Sequence, residues 1–407
     1  MIKIRRISIA LFFLLSAGGF AEDRSLHLQV GDPARREREA PLVLDAITDT
    51  RTGDLLTPGE LAARLSGAHL VLVGESHTDM DFHRAQLRVI QELHRAGRQV
   101  LVGLEMYPYT EQRSLDQWRD GLVTEEGFVR LSRWYGNWGY HWAYYRDIFL
   151  FAREAGIPMF AVNAPRDVVS AVRKKGFQNL TEEEAAHIPS RVDTANEEHR
   201  SLFRAFFDDG DSLHAGMTPE QWDGMFAAQA TWDATMAHNA LRVLREHGGP
   251  KAVLVVLVGS GHVAYGLGIQ RQAVAQGFDG RIATVVPVPV RDEDGDPVAT
   301  VRASYADFLW GLPPAGEPLY PSLGLSTASG EGEAGRKVIF VSEDSPAARA
   351  GFQAGDVLLA MDSAPIVDRE TLNRGMAEKR WGDAAVFTVQ RGEKTVELKA
   401  VFRRQAG

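Results

Sequence analysis

Five apolar runs along the chain predict the strands of a buried sheet. They cover residues 69–74, 99–104, 157–162, 252–258 and 282–286. A nearly continuous apolar run of this length suits a strand that is covered on both faces. Helical sequence separates the runs, including residues 79–96, 143–156 and 224–247. This alternation predicts an α/β domain with a mostly parallel sheet and helices on both faces.

Two stretches depart from this alternation and suggest the domain limits. Residues 174–222 are helical and strongly charged, and they are interpreted as a helical insertion that forms a lid or flap. Gly, Pro and Ser become frequent after residue 311, which indicates a linker. We therefore expect the α/β domain over residues 41–310, a linker over 311–319 and a second domain over 320–407. The polar residues 22–40 are interpreted as a flexible leader to the fold.

The first 21 residues have the pattern of a secretory signal peptide. Three basic residues precede an apolar run over residues 7–15, and the small residues Gly19 and Ala21 suit a cleavage site. The run is short for a membrane span, and a retained membrane anchor is the alternative interpretation. We expect cleavage before Glu22 and a periplasmic or secreted protein.

The lack of cysteine and the net charge narrow the classes of ligand. Without cysteine the protein has no disulfide, no thiolate metal ligand and no lipid-modified cysteine. The formal net charge is −9, and removal of the three basic residues of the signal peptide leaves −12 (−9 minus 3). A negative charge of this size argues against a nucleic-acid or anionic-membrane partner. Any metal must bind imidazole, carboxylate, phenolate or thioether groups.

Polar residues follow the carboxyl ends of the predicted strands. Glu75 and His77 follow the first strand, Glu105 the second, Arg166 the third and His262 the fourth. Because the carboxyl ends of parallel strands lie along one sheet edge, where ligands bind, we expect these side chains to meet. Two imidazoles and two carboxylates suit a divalent metal, a haem iron or acid–base chemistry.

Each of these residues also has a structural interpretation. A lone histidine can cap a helix, and Glu75 can stabilise the start of the helix that follows it. Glu105 can be a buried carboxylate paired with Arg166. His83 falls in the first turns of the next predicted helix and can face the same sheet edge. The functional hypothesis therefore depends on the side chains converging.

Two further groups of residues have open interpretations. The chain concentrates aromatic residues over 134–145, which can form the walls of a pocket for a large flat ligand or a core cluster. Gln229, Asp233 and Met236 share one face of the predicted helix over 224–247. That face is interpreted as packed or solvated, with contact to a ligand as the alternative.

Motifs in this order resemble the ChaN-like family of haem-binding uptake proteins, which is related to the Tiki/TraB and erythromycin-esterase groups. The resemblance covers residues 41–290 and rests on Gly74-Glu75-Ser76-His77 with His83, Glu105-Met106, Asn163-Ala164-Pro165-Arg166, Asp233 with Met236-Ala237, and Gly259-Ser260-Gly261-His262-Val263 with Gly268-Ile269. It implies an exported domain that binds haem in iron uptake, and a homodimer that holds a pair of haems between its subunits.

The resemblance also implies a haem ligand and a rival function. The family suggests a tyrosine ligand with a histidine nearby, and Tyr145 and Tyr265 stand in matching contexts. Related families hydrolyse peptides or esters, and in that interpretation a divalent metal or an activated water is bound by Glu75, His77, Glu105 and His262. The three hypotheses are a haem-binding protein, a metal-dependent hydrolase, and a scaffold that has lost its ligand.

Residues 320–407 resemble a PDZ domain of the bacterial periplasmic kind, a small α+β or barrel-like fold. The stretch over residues 345–359 carries the resemblance, and Leu323-Gly324-Leu325 matches the carboxylate-binding loop. Backbone amides of such a loop hold the carboxylate of a peptide that adds a strand to the domain. Ser363 stands where the family usually has glycine. The alternative is a PDZ fold that is used only for docking within the molecule.

Overall fold

The computed structural model describes residues 25–207, 217–292, 294–329 and 335–404. The predicted signal peptide lies outside these ranges. Within them, two compact units are formed, one by residues 25–132 and 142–317, the other by residues 133–141 and 318–404. None of the helices in these ranges has the length and apolarity that a membrane crossing requires.

The larger unit is built on a mostly parallel eight-stranded sheet. The strands up to the linker are β1 (Glu39–Pro41), β2 (Ile47–Asp49), β3 (Leu55–Leu56), β4 (Leu70–Glu75), β5 (Gln99–Pro108), β6 (Met159–Asn163), β7 (Ala252–Gly259), β8 (Ile282–Pro289), β9 (Thr300–Arg302) and β10 (Phe308–Leu312). The sheet order is β3-β2-β10-β8-β4-β7-β5-β6, and β1 pairs with β9 separately. Six neighbouring strands of this sheet are parallel to one another: β10, β8, β4, β7, β5 and β6. Strand β2 is antiparallel to both of its neighbours, β10 and β3. The five apolar runs are β4 to β8, so the predicted sheet is confirmed.

Helices lie between the strands and cover the sheet. The α-helices of the described chain before the linker are α1 (Pro58–Arg64), α2 (Met80–Arg95), α3 (Gln112–Arg119), α4 (Glu125–Leu131), α5 (Trp134–Asn137), α6 (Arg146–Glu154), α7 (Arg166–Lys175), α8 (Glu182–Ala185), α9 (Glu197–Ala205), α10 (Pro219–His247) and α11 (Ile269–Ala275). Leu72 and Leu254 of the sheet pack with Met236 and Ala240 of α10, while α2 packs against β4 and β5. Each fully buried Leu or Val stabilises the fold by roughly 1.5–3 kcal/mol.

Among its described residues, the predicted insertion contains the short helices α8 and α9, and it leads into α10. Helix α8 begins with a capping box, in which Thr181 accepts a hydrogen bond from the Glu184 amide and the Glu184 side chain accepts one from the Thr181 amide. Helix α10 begins at Pro219 with a second such box at Thr218. At the other limit, β10 continues to Leu312, so the predicted linker over 311–319 begins inside a strand.

Residues 25–40 pack against the larger unit, which corrects the prediction of a flexible leader. Leu26 and Arg35 are buried. Arg35 forms an ion pair with Asp307 at 3.1 Å, and Tyr265 donates its hydroxyl to the Ser25 carbonyl at 2.6 Å. The polar, charged composition suggested a flexible leader, but these residues have partners that lie far away in sequence and satisfy their polar groups in the larger unit.

In its described residues the smaller unit has an antiparallel sheet and three short α-helices, one of which is α5. Its elements after the linker are β11 (Leu325–Ser329), β12 (Arg336–Val341), α12 (Pro346–Ala350), β13 (Val357–Met361), β14 (Ala364–Pro365), α13 (Arg369–Ala377), β15 (Ala384–Arg391) and β16 (Lys394–Val401). The sheet order is β11-β12-β13-β15-β16, with β14 paired to β13. Val338, Leu358, Leu372, Phe387 and Phe402 share one core.

Candidate functional site

Two groups of histidines and carboxylates meet beside Gly259 at the carboxyl end of β7. Glu75 ends β4 and Gly259 ends β7, and the two residues are paired in register. A Cβ atom added to Gly259 would lie 3.1 Å from His77 Cε1 and 3.7 Å from His262 Cδ2. The sheet edge therefore brings the first glutamate–histidine pair and the distant second histidine together, in the arrangement that the sequence led us to expect.

The first group surrounds Glu75, whose side chain is fully buried. Tyr145 donates its hydroxyl to Glu75 Oε1 at 2.6 Å, and His77 Nδ1 lies 2.8 Å from the same oxygen. His83 Nδ1, from the first turn of α2, lies 3.4 Å from Glu75 Oε2. Burial raises the pKa of Glu75, but the facing charge of His83 and the hydrogen bonds from both histidines outweigh it and hold the pKa well below its usual range.

The second group surrounds His262, which lies in the 3₁₀ turn Ser260–His262 after β7. His262 Nδ1 lies 2.6 Å from Asp233 Oδ1 and 2.9 Å from Gln229 Nε2. His262 Nε2 lies 3.4 Å from Glu105 Oε1, and the other Glu105 oxygen accepts the Gly259 N–H at 2.7 Å. Burial lowers the pKa of His262, but the two carboxylates outweigh it and raise the pKa to about 10. The ring is therefore an imidazolium at neutral pH.

Helix α9 of the insertion contributes His199 to this second group. His199 Nε2 lies 3.6 Å from Asp233 Oδ2, and Arg271 donates to His199 Nδ1 at 3.1 Å. Burial lowers the pKa of His199 to about 4, because the attraction of Asp233 does not compensate for it and the Arg271 charge adds to it. His199 is thus a neutral imidazole. The two groups together are called the Gly259 cluster: Glu75, His77, His83, Glu105, Tyr145, His199, Gln229, Asp233 and His262.

Two predicted site residues have other positions. Tyr265 has a left-handed backbone (φ 59°), and its hydroxyl is bonded to the Ser25 carbonyl and the Leu28 amide. It therefore anchors the amino-terminal segment instead of joining the Gly259 cluster. Arg166 begins α7 at the same sheet edge and is partly buried.

Three members of the cluster were missed or given another role by the sequence. Gln229 and Asp233 were assigned to a packed or solvated helix face, and His199 was not considered. The sequence could have indicated a partner for Asp233, because a carboxylate among the small apolar residues of a buried helix needs one. No sequence signal points to His199, since only the fold brings α9 to α10.

A partly buried tyrosine–histidine pair at the same sheet edge was also missed. Tyr109 directly follows β5, four residues after Glu105, and its hydroxyl lies 2.7 Å from His187 Nδ1. Both side chains are partly exposed, whereas Tyr145 is fully buried. The pair joins residues 78 positions apart, across the start of the insertion, so the chain order gave no sign of it.

In the part of the chain that the structure describes, no three His, Asp or Glu side chains are arranged to hold a metal ion. The carboxylates of the Gly259 cluster are directed at groups of the protein instead. Glu75 faces Tyr145 and His77, while Glu105 faces the Gly259 amide and His262.

The aromatic stretch over residues 134–145 is divided between the two units. In the larger unit Trp142 packs against Phe128 and Phe149, with ring centroids 5.6 and 4.8 Å apart. Trp142 is buried, so the core interpretation of this end of the stretch is confirmed. Residues 133–141 belong to the smaller unit and are considered below.

The predicted carboxylate-binding loop precedes β11, which is an edge strand of the smaller sheet. Gly324 has φ +72°, and an added Cβ would lie 2.3 Å from Ser345 Cβ, so only glycine fits. Leu323 is buried in the core, while Leu325 begins β11. An edge strand can accept a further strand from a peptide. Ser363 has φ 68°, the strained conformation expected where the family has glycine.

Comparison with known families and structures gives two matched regions. Residues 61–272 match the family described as haem-binding uptake, Tiki superfamily, ChaN. Residues 321–401 match the PDZ domain family. A solved structure described as cofacial haem binding to ChaN of Campylobacter jejuni has a similar fold, with a TM-score of 0.50 and 19% identity. The similarity covers 66% of this chain and 98% of that chain.

Two curated relatives share parts of the sequence. The chloroplastic protein RETICULATA-RELATED 5 of Arabidopsis thaliana is 26% identical over 274 residues, or 61% of this chain. A probable periplasmic serine endoprotease, DegP-like, of Brucella suis biovar 1 is 34% identical over 91 residues, or 22% of this chain. The chain spans 34% of the length of the first relative and 17% of the second.

Proposed function

This chain belongs to the haem-binding uptake family of the Tiki superfamily, ChaN, and from that premise we propose that its larger unit binds haem in haem or iron uptake. The observation that carries the proposal for this chain is the Tyr109–His187 pair at the carboxyl edge of the sheet. A tyrosine phenolate can ligate haem iron. A histidine that accepts the phenol proton favours the phenolate. This donor set therefore fits a ferric haem.

We assign the residues of the edge as follows. Tyr109 is the iron ligand, and His187 accepts its proton. Tyr145 is a supporting residue, because its hydroxyl is already donated to Glu75 and its side chain is buried. Arg166 supplies a cation for a haem propionate. The other residues predicted for the site hold one another in place in the Gly259 cluster at this sheet edge: Glu75, His77, His83, Glu105 and His262.

A haemin titration with matched tyrosine variants tests this proposal. The purified mature protein should give a Soret shift that saturates at a defined stoichiometry, and so should Tyr145→Phe and Tyr265→Phe. Tyr109→Phe should bind haemin about tenfold more weakly or worse, because the phenolate ligand is lost. Full affinity in Tyr109→Phe with loss in Tyr145→Phe would move the ligand to Tyr145. A wild-type protein without a saturable shift would contradict haem binding.

We further propose that haem is held between two subunits. The proposal rests on family membership and on the partly exposed position of Tyr109. Light scattering after size exclusion should give a monomer mass without haemin and a dimer mass with it. A monomer mass at saturating haemin would contradict the dimer without affecting the haem site.

For the smaller unit we propose binding of a peptide or protein carboxy terminus. The PDZ match over residues 321–401, the loop at Gly324 and the edge strand β11 support this role. The signal-peptide pattern and the similarity to a probable periplasmic protease support export to the periplasm. Amino-terminal sequencing of the protein from a periplasmic fraction should start at Glu22, and an uncleaved amino terminus would indicate a retained anchor.

A second candidate function, hydrolysis of a peptide or ester, is favoured by the Glu75–His77 pair. Glu75 Oε1 lies 2.8 Å from His77 Nδ1 and orients the imidazole, whose ring lies beside the glycine backbone at Gly259 as a candidate base. A panel of esters and peptides separates the two functions. Hydrolysis should be lost in His77→Gln and kept in Tyr109→Phe, with the reverse order for haemin binding. If the wild type neither hydrolyses the panel nor binds haemin, the scaffold hypothesis stands.

A further inference from the structure

Residues 133–141 form a segment of the smaller unit that lies along helix α13. Side chains of α13 donate hydrogen bonds to three carbonyls of this segment: Arg369 to Gly136 (3.0 Å) and Trp138 (2.8 Å), and Asn373 to Tyr135 (2.9 Å). Arg369 and Asn373 are one turn apart and share a face of the helix. The short helix α5 cannot satisfy these carbonyls itself, so α13 acts as its carboxy-terminal cap.

Charged groups fix the start of the segment on the same helix. Arg133 Nε donates to Glu370 Oε2 at 2.8 Å, and Arg133 Nη2 lies 3.6 Å from Asp368 Oδ2. Arg133 has φ 49°, a left-handed conformation that costs a non-glycine residue of order 1–3 kcal/mol. Such a conformation persists where the surrounding contacts hold it, as the Glu370 and Asp368 pairs do here.

Two glycines permit the close approach of the segment. Gly139 has φ +97°, and an added Cβ would lie 2.7 Å from Arg369 Nη2 and 2.8 Å from Asn373 Nδ2. A Cβ on Gly136 would lie 3.3 Å from Glu370 Cβ. A side chain at Gly139 would therefore displace the guanidinium and the amide that bind the carbonyls, so the sequence of the segment fits this helix closely.

The far end of the segment contacts the residue that leads into the carboxylate-binding loop. His141 stacks on Tyr320 with ring centroids 3.4 Å apart and an angle of 7°, and Tyr320 lies three residues before Leu323. Leu323 shares its core with Leu372 of α13. The segment thus contacts the helix and the start of the loop, and these two are packed together.

We propose that residues 133–141 are an intramolecular ligand of the PDZ unit and that their docking lowers its affinity for peptide carboxy termini. The inference rests on the proposed peptide-binding function. A peptide that adds a strand to β11 must fit beside the Gly324 loop, and the loop moves with α13 through their shared core. A docked segment fixes α13 at Arg369, Glu370 and Asn373 and so opposes that adjustment. Release of the segment leaves the helix free to adjust.

A disulfide pair in the full mature chain tests the docking. The chain has no cysteine, and the 3.3 Å separation of Cβ positions at Gly136 and Glu370 is close to the roughly 3.5–4.5 Å of a disulfide. Gly136→Cys with Glu370→Cys should oxidise to an intramolecular disulfide, detected by loss of free thiol in the monomer. The control, Gly136→Cys with Glu393→Cys in the exposed β15–β16 turn, should keep its thiols. Equal oxidation of both pairs, or a cross-linked dimer, would overturn intramolecular docking.

Peptide affinity tests the consequence of docking. Fluorescein-labelled decapeptides ending in Val, Ala or Phe are titrated by anisotropy against the oxidised and reduced forms of the Gly136→Cys, Glu370→Cys protein. Oxidation should weaken the best peptide by about fivefold or more, reversibly, and Gly139→Leu should strengthen binding relative to the wild type. Equal affinities would overturn the regulation while peptide binding stands. If no peptide binds the wild type or either form of the variant, the proposed peptide binding is wrong, and so is its regulation. The thiol measurement tests the docking independently of this result.

Discussion

His262 and Asp233 form the shortest contact of the second group in the Gly259 cluster, with 2.6 Å between Nδ1 and Oδ1. The contact joins the turn after β7 to the middle of α10, and Glu105 faces the other ring nitrogen at 3.4 Å. Both nitrogens of the imidazolium are thereby directed at carboxylates. The charge of the imidazolium is thereby compensated on both sides, which holds the ring in one orientation behind the sheet edge.

The protonation state of His262 gives the first prediction. Its pKa, raised to about 10, should keep the ring charged from pH 6 to 9 in histidine-labelled NMR spectra. Asp233→Asn should lower the pKa by about one unit or more, because it removes the strongest partner. The NMR signal of His262 is identified by its loss in His262→Gln. The control is His238→Gln, on the exposed side of α10, in which that signal should remain. A ring that loses its proton near pH 6.5 in the wild type would contradict the geometry.

The same shift fixes the direction of the pH dependence of stability. The folded pKa is raised above the unfolded value of about 6.5, so the folded state binds more protons between the two values. The stabilisation is fully present below pH 6.5 and is lost as the pH rises towards 10. Urea unfolding should therefore show a free energy that falls over pH 7–10, on the order of 3 kcal/mol, and a smaller fall in Asp233→Asn.

Gly259 gives a prediction about the space between the two groups of the cluster. Gly259→Ala would put a Cβ 3.1 Å from His77 Cε1, which should displace His77 from Glu75 and cost roughly 1–3 kcal/mol. Gly59→Ala is the matched control, since an added Cβ in α1 meets nothing within 4 Å, and alanine favours a helix. Urea unfolding compares the two. Equal unfolding free energies would mean that the cluster has room for a methyl group.

The parts of the fold that the sequence predicted are those set by short-range patterns. The apolar runs of β4 to β8 contain few polar residues, which is typical of strands that are buried on both faces of a parallel sheet. The convergence of Glu75, His77, Glu105 and His262 follows from the same topology, because parallel strands end at one edge. A residue's position at a strand end was therefore enough to group these four side chains.

The parts that the sequence did not predict depend on contacts between distant segments. Arg35 was placed in the flexible leader, because its partner Asp307 lies far away in sequence. His199 and His187 reach the sheet edge only through the packing of the insertion. Residues 133–141 are rich in aromatics, which suggested a pocket wall or a core cluster, but α13 binds their backbone carbonyls. Composition carries no information about such backbone recognition.

Tyr265 gives a prediction that separates its structural role from haem binding. Tyr265→Phe removes the hydrogen bonds to the Ser25 carbonyl and the Leu28 amide. The loss should cost about 1–3 kcal/mol and increase hydrogen exchange over residues 25–40. Haemin affinity should match the wild type. Unchanged exchange in this segment, or a lost Soret shift, would contradict the assignment of Tyr265 as an anchor.

Gly324 gives a prediction for the smaller unit with a control of the same backbone conformation. Gly324→Ala combines a left-handed φ of +72° with a Cβ only 2.3 Å from Ser345 Cβ, whereas Gly392→Ala has φ +59° and open space. The control should cost about 1 kcal/mol from the backbone alone. Gly324→Ala should cost more, because Ser345 caps α12 through the Ala348 amide and cannot move without losing that bond.

Hydrogen exchange over β11 and α12 measures the difference between these two glycine variants. Protection should fall by a larger factor in Gly324→Ala than in Gly392→Ala, and the labelled decapeptides should bind only the latter. Peptide binding retained by Gly324→Ala would show that the loop yields without loss of the carboxylate site. The contact between position 324 and Ser345 would then constrain the backbone less than the 2.3 Å separation indicates.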